Sequence, residues 1–281
     1  MPAFYALLLA LALDDASSLT RRDAGASAAA SLASLAVPAR AAELPPPLAA
    51  ALSAKPASLA PLASGSCAAA ETPPWLAGAF TVAASRLDGV AFPRGGGKPP
   101  PTAAGARMGT ILALPNVGAT PRGYARVFGP RLDGAAAENA AAALPAFWPA
   151  AEGVTAVDGG GRVTVAYAAP TVSRGVQKQR IVAERLACAA GAVDGASAVV
   201  AERWAQASSV EDRGVDDDAP SPPLSGTYTA WHRYDALAGG DVRETLRVAA
   251  FDDDPAAPPG APPLAVYDYS FLLRRPSGQP P

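Results

Sequence analysis

The one histidine of the chain, His232, lies in Thr227–Asp235, TYTAWHRYD. If this run is extended, Tyr228, Ala230, His232 and Tyr234 share one face, while Trp231 and Arg233 point the other way. An imidazole between two phenols offers exchangeable protons and hydrogen-bonding tips on a partly apolar surface. Such a surface suits a ligand with an apolar body and one polar end. Tyr228, His232 and Tyr234 are therefore the candidate ligand-binding residues, set near the mouth of a cavity. The opposite orientation, with Trp231 in the core and the trio toward solvent, fits the spacing equally well. A single histidine excludes multi-histidine zinc sites. It is compatible with a general base or one axial haem ligand, but a structural histidine is the simpler reading. No catalytic residue, metal or cofactor is assigned.

The remaining motifs carry less. Gly95-Gly96-Gly97-Lys98 has the wrong spacing for a phosphate loop, and Pro99 stands where a magnesium-binding Ser or Thr belongs. Asp216-Asp217-Asp218 and Asp252-Asp253-Asp254 lack the spaced ligands of a calcium loop and read as solvated loops. Neither a serine elbow nor a dinucleotide fingerprint is present. The two cysteines are Cys67 and Cys188. An exported protein can pair them, but Cys67 falls in a presumed linker, so the reading here is free or loosely paired thiols.

The chain holds 281 residues with 23 basic and 25 acidic side chains. No basic excess exists to attract a phosphate backbone, which argues against nucleic acid as a partner. Alanine supplies much of the apolar content and buries little area. Thirty prolines and 26 glycines limit regular structure further. The first residues read as export signals. Phe4–Leu13 is an apolar run too short to span a bilayer. Arg21 and Arg22 precede a soft apolar segment that ends in Ala39-Arg40-Ala41, a small-residue cleavage site. Two signals in series fit two membrane systems crossed in succession, and the twin-arginine segment resembles signals that carry proteins into the thylakoid lumen of a chloroplast. No transmembrane span is expected in the mature chain.

Residues 1–41 are thus read as a bipartite targeting signal and 42–72 as a disordered Ala/Pro-rich linker. Residues 73–275 form the folded domain and 276–281 a disordered tail. Within 73–275, Trp75–Ser85 reads as a strand that Leu87–Phe92 continues. A short helix lies within Leu132–Ala146 and stops before Pro145. Val154–Val157 and Arg162–Ala168 make a hairpin. Ser197–Gln206, Thr227–Asp235 and Val242–Phe251 are further strands, the last interrupted by Glu244 on its apolar face. Tyr267, Tyr269, Phe271 and Leu273 alternate cleanly with Asp268, Ser270 and Arg274. Gln177–Gly191 has helical spacing, but its neighbours favour a strand, and strand is the reading taken. Many strands joined by turns imply a mainly β protein, an antiparallel barrel with one or two short helices.

Pro74-Trp75-Leu76-Ala77-Gly78, Val90-Ala91-Phe92-Pro93 and Leu114-Pro115-Asn116-Val117-Gly118 together are similar to an uncharacterised family of plant, algal and cyanobacterial proteins. Its eukaryotic members go to the chloroplast, often to the thylakoid lumen. The resemblance runs from about Pro73 to Arg275 and implies a lipocalin-like, or calycin, barrel. The Trp75-Leu76-x-Gly78 opening is also similar to the start of lipocalin-type barrels, where the tryptophan closes the base. The middle departs from the family: Ala151–Gly161 replaces an asparagine-rich segment. No functional residue is carried over. The expected function is non-catalytic binding of a small apolar ligand such as a pigment or lipid. The alternatives are an assembly or interaction factor for a photosynthetic membrane complex, and a lipid- or pigment-modifying enzyme on the same barrel.

Overall fold

The computed structural model describes residues 46–63, 71–95, 112–114, 117–132, 136–147, 152–159, 161–171, 175–210, 224–251 and 260–276. Contacts divide the chain into Met1–Ala39, which lies outside those residues, and Arg40–Pro281. The two export signals, both Asp triplets, most of the Gly95–Lys98 loop, Cys67 and nearly all of the tail also lie outside them.

The fold is mainly β, as the alternation implies. Nine strands form one antiparallel sheet: β1 (Gly78–Ala91), β2 (Ala125–Phe128), β3 (Glu152–Gly159), β4 (Arg162–Thr171), β5 (Gly175–Asp194), β6 (Ser197–Val210), β7 (Leu224–Ala236), β8 (Val242–Phe251) and β9 (Ala265–Arg274). Their order is β2-β1-β9-β8-β7-β6-β5-β4-β3. The sheet curls into a half-barrel. From β3 to β9 each strand pairs with its sequence neighbour, and β9 then pairs with β1. Gln177–Gly191 is strand, within β5. Its helical spacing yields because it pairs with β6 along most of its length and with β4 as far as Glu184.

Among the described residues β2 and β3 do not pair, so the sheet stays open along this seam. A helix fills it. α2 (Ala136–Phe147) packs against β2, β3 and β4. Asn139 fastens it to the edge strand: its side chain accepts from the Val127 N–H at 2.8 Å and donates to the Val127 carbonyl at 3.1 Å. An exposed strand edge is thereby satisfied by a side-chain amide instead of another strand. The helix does not stop before Pro145, as the sequence suggests, but runs through it to Phe147. Leu144 and Phe147 are both buried in the core, and this packing outweighs the penalty of an internal proline.

The concave face holds the main core. Tyr267, Tyr269, Phe271 and Leu273 are all buried in it, as their period implies. Each large side chain fully removed from water contributes about 1.5–3 kcal/mol. Trp75 is only partly buried, and its neighbour Leu76 takes the core position instead. Pro73 begins a turn whose carbonyl accepts from Leu76 and Ala77, and β1 starts only at Gly78. Arg275 ties this turn down by donating to the Trp75 and Ala77 carbonyls, with its guanidinium 4.5 Å from the Phe80 ring centroid. Gly78 has φ +105°, and a Cβ there would sit 3.3 Å from Arg275 Nη1, so glycine is required.

The convex face is also covered. Residues read from sequence as a disordered linker form α1 (Pro46–Ser53) and a 3₁₀ turn at Pro56–Ser58. Leu48 and Leu59 pack on Val199, Ala201, Trp231, Ala249, Phe251 and Val266. Arg247 anchors this strap. It donates to the carbonyls of Ala51 and Ala54 while Asp268 holds it at 2.6 and 3.1 Å. The linker reading failed because single leucines among alanines and prolines show no period, yet two of them suffice to cover one tryptophan.

Candidate functional site

Tyr228, His232 and Tyr234 do share one face of β7, and it is the concave one. Trp231 is buried too, beneath the strap on the other side. The two orientations that the sequence left open are therefore not exclusive, because both faces of β7 are covered. All three residues line a cavity of about 90 Å³. Tyr228 and Tyr234 are buried in its wall, at 2% and 6% exposure, rather than standing at an open mouth.

The cavity lies under the seam. β2 contributes Arg126 and Phe128, α2 contributes Asn139, Ala140 and Ala143, and β6 contributes Val200, Glu202 and Trp204. Glu202 is paired with Arg185 of β5 at 3.2 Å, and that guanidinium also lies over the Trp204 ring. No serine, threonine or cysteine side chain lines the cavity among the described residues.

A charged cluster stands against this cavity, and its centre is Glu244 of β8. Glu244 is fully buried. In the ladder it lies opposite Tyr234 on β7 and Phe271 on β9. Its Oε1 is 2.8 Å from His232 Nδ1, and its Oε2 is 3.6 Å from Arg126 Nη2. Burial alone would raise its pKa. The Arg126 charge and the His232 hydrogen bond outweigh burial and hold the carboxyl below the ordinary glutamate value. Glu244 is thus ionised at neutral pH, an acceptor only, and His232 must carry its proton on Nδ1. Arg126, in turn, is disfavoured by burial but held charged by Glu244.

Arg126 reaches this position from the edge strand between two rings, 5.8 Å from the Tyr124 centroid and 5.6 Å from that of Phe271. Such stacking offsets part of the desolvation of a guanidinium. Tyr234 stacks on His232 at 6.0 Å and meets Phe128 edge-on at 5.2 Å. Its phenol is pushed well above the usual range, by burial first and then by the Glu244 charge. Three buried polar atoms of the cluster lack a hydrogen-bond partner: Tyr124 Oη, Arg126 Nε and Glu244 Oε2.

Neither Arg126 nor Glu244 was singled out from the sequence. Glu244 shows there only as a break in the apolar face of Val242, Leu246 and Val248. Arg126 sits likewise between Tyr124 and Phe128, on the inward face of a strand only four residues long. A lone charge on an inward face was the available signal, and two such charges of opposite sign strengthen it.

Cys188 is disulfide-bonded, and no described cysteine is free, which corrects the reading of loose thiols. No group of His, Cys, Asp and Glu among the described residues could hold a metal ion, and no described helix is long and apolar enough to cross a membrane. No family model, curated protein or solved structure matches the chain.

Proposed function

We propose that this chain is a non-catalytic binding protein of the thylakoid lumen. Its half-barrel takes one end of a small, largely apolar ligand such as a lipid or pigment. The observation that carries the reading is the cavity. It is walled by apolar and aromatic side chains with a few convergent polar groups, Arg126, Glu202, His232 and Asn139 among them, the composition usual for small-molecule sites. Its 90 Å³ is well below the roughly 300–1,000 Å³ of sites that enclose a drug-sized molecule. A pigment or lipid would therefore enter end-on, with its bulk outside. The lumenal placement rests on the Thr20–Ala42 signal, and the bonded state of Cys188 agrees with an oxidising compartment. A lipocalin-like relationship, suggested by the Trp75–Gly78 opening, belongs to the same proposal.

The test is purification from the source organism's thylakoids, followed by native mass spectrometry. The expected result is a small molecule released from the folded chain on denaturation. A stoichiometric membrane complex with no bound small molecule would overturn the reading in favour of an assembly factor.

One observation favours a second reading, an enzyme on the same barrel. His232 is oriented through Nδ1 by an ionised carboxylate in a cavity wall, as a general base is. With no hydroxyl or thiol of Ser, Thr or Cys among the described residues of that wall, such an enzyme would act through water or through the substrate's own protons. If the protein only binds, wild type and His232→Gln release molecules of the same mass. A different mass from the variant would point to catalysis.

A further inference from the structure

We infer that the ligand's polar end is a carboxylate, seated against Arg126 and His232, and that it enters together with one proton. The inference rests on the binding reading above. A guanidinium has five N–H donors, yet the polar groups beside Arg126 are only the Tyr124 phenol and the Glu244 carboxylate. Glu244 Oε2 is 3.6 Å away, and the Arg126 Nε is buried and unpartnered. Buried donors in folded proteins are nearly always paired. Arg126 lines the cavity, so its missing acceptors must come from the occupant. A planar carboxylate matches the fork of an arginine with two parallel hydrogen bonds.

His232 supplies the proton count. His232 Nδ1–H donates a hydrogen bond to ionised Glu244, so a singly protonated ring presents Nε2 as an acceptor. An alcohol would donate to Nε2 without any change in protonation. A carboxylate can only accept, so its contact with Nε2 requires a proton on that nitrogen. The surrounding charges point the same way. Facing this region are Arg126 from β2, Glu244 from β8, Glu202 from β6 and Arg185 from β5, with the phenols of Tyr124, Tyr228 and Tyr234 neutral. Two cations balance two anions, so an entering carboxylate adds one unmatched charge and the proton on His232 cancels it. The volume sets the scale: 90 Å³ is smaller than a cavity of about 150 Å³ that binds benzene. It admits the carboxylate and the first few carbons of a longer chain.

The experiment is calorimetric titration of the full chain at pH 7 with sodium octanoate and, separately, with 1-octanol, each in two buffers of different ionisation enthalpy. Octanoate is expected to bind with uptake of about one proton and octanol with none. Arg126→Lys keeps a cation beside Glu244 but loses the fork, and should weaken octanoate about tenfold while leaving octanol nearly unchanged. His232→Gln should abolish the proton uptake, and this readout decides the matter if Arg126→Lys does not fold. Octanoate binding no tighter than octanol, or binding without proton uptake, would overturn the carboxylate assignment and leave the binding reading standing. If neither probe binds, both fall, and water is what fills the cavity.

Discussion

Replacing Glu244 by alanine tests the buried cluster most directly. The change leaves the Arg126 guanidinium without its one ion partner among the described residues, at 3.6 Å, and the His232 Nδ1–H without its acceptor, at 2.8 Å. Both losses occur in a largely buried cluster, since Glu244 is 0% exposed and the Arg126 and His232 side chains 12% each. Breaking a buried pair by removing one member costs about 3–5 kcal/mol, because the other charge stays buried alone. Against a total stability of about 5–15 kcal/mol this is a large fraction. With a urea m-value of about 2 kcal/mol/M, the midpoint should fall by roughly 1.5–2.5 M.

Two companions isolate the cause. Glu244→Gln keeps an acceptor for His232 and should lose less than the alanine. The double change Arg126→Met with Glu244→Leu removes both charges and should recover most of the loss, since apolar replacements of a buried pair are commonly neutral or stabilising. The pH dependence has a definite sign. Glu244 has a lowered folded-state pKa, so its contribution is present above the unfolded glutamate value of about 4.3 and is lost as pH falls through the folded value. The advantage of wild type over Glu244→Gln should therefore hold at pH 7 and shrink below about pH 4.3. A Glu244→Ala midpoint within about 0.3 M of wild type would refute the reasoning, because no uncompensated buried charge could be that cheap.

The strap gives the next expectation: a fragment lacking residues 1–62 loses the cover on Trp231 and two acceptors of Arg247. It should melt at a lower temperature and its tryptophan emission should become more accessible to iodide, and an unchanged melt and quenching would show that the strap packs without stabilising. Asn139→Ala frees both Val127 backbone groups at the sheet edge, at about 0.5–1.5 kcal/mol per hydrogen bond. Hydrogen exchange should accelerate in α2 and β2 and stay unchanged in β7, and equal acceleration in all three would contradict a local seam. Tyr269→Phe removes the acceptor of the Gly118 N–H and the donor to the Ala119 carbonyl, and should cost about 1–2 kcal/mol in urea unfolding with no loss of β structure by circular dichroism.

The fold was legible where side chains alternate against a single solvent face, and least legible where both faces are covered. β9 shows this well: Tyr267 to Leu273 announce one buried face, while Val266 on the other face lies under the strap and gives no period of its own. β7 was read with the correct set of facing residues, but alternation cannot say which face is inward when Trp231 and Tyr228 are equally buried. The site was half legible. A lone histidine between tyrosines draws notice by its type. Glu244 and Arg126 are separated by more than a hundred residues and meet only because β2 is carried to the far end of the sheet order, next to β1. No spacing rule links them.

That topology also explains why the site lies where it does. Every strand from β1 to β4 in the sheet order has a ladder on each side, so parting any two of them would break a run of backbone hydrogen bonds. The seam between β2 and β3 is held instead by one helix, through the two bonds of Asn139 and the apolar contacts of Ala140, Ala143, Leu144 and Phe147. It is the least costly place to open, and local opening is drawn from such low-stability joins. On this side the cavity is lined by β2 and α2, and Arg126 stands on the strand that the helix fastens. A charge buried deep among fully paired strands could be reached only by unfolding them. On the edge strand beneath one helix, the proposed carboxylate site would be reached by displacing α2 alone.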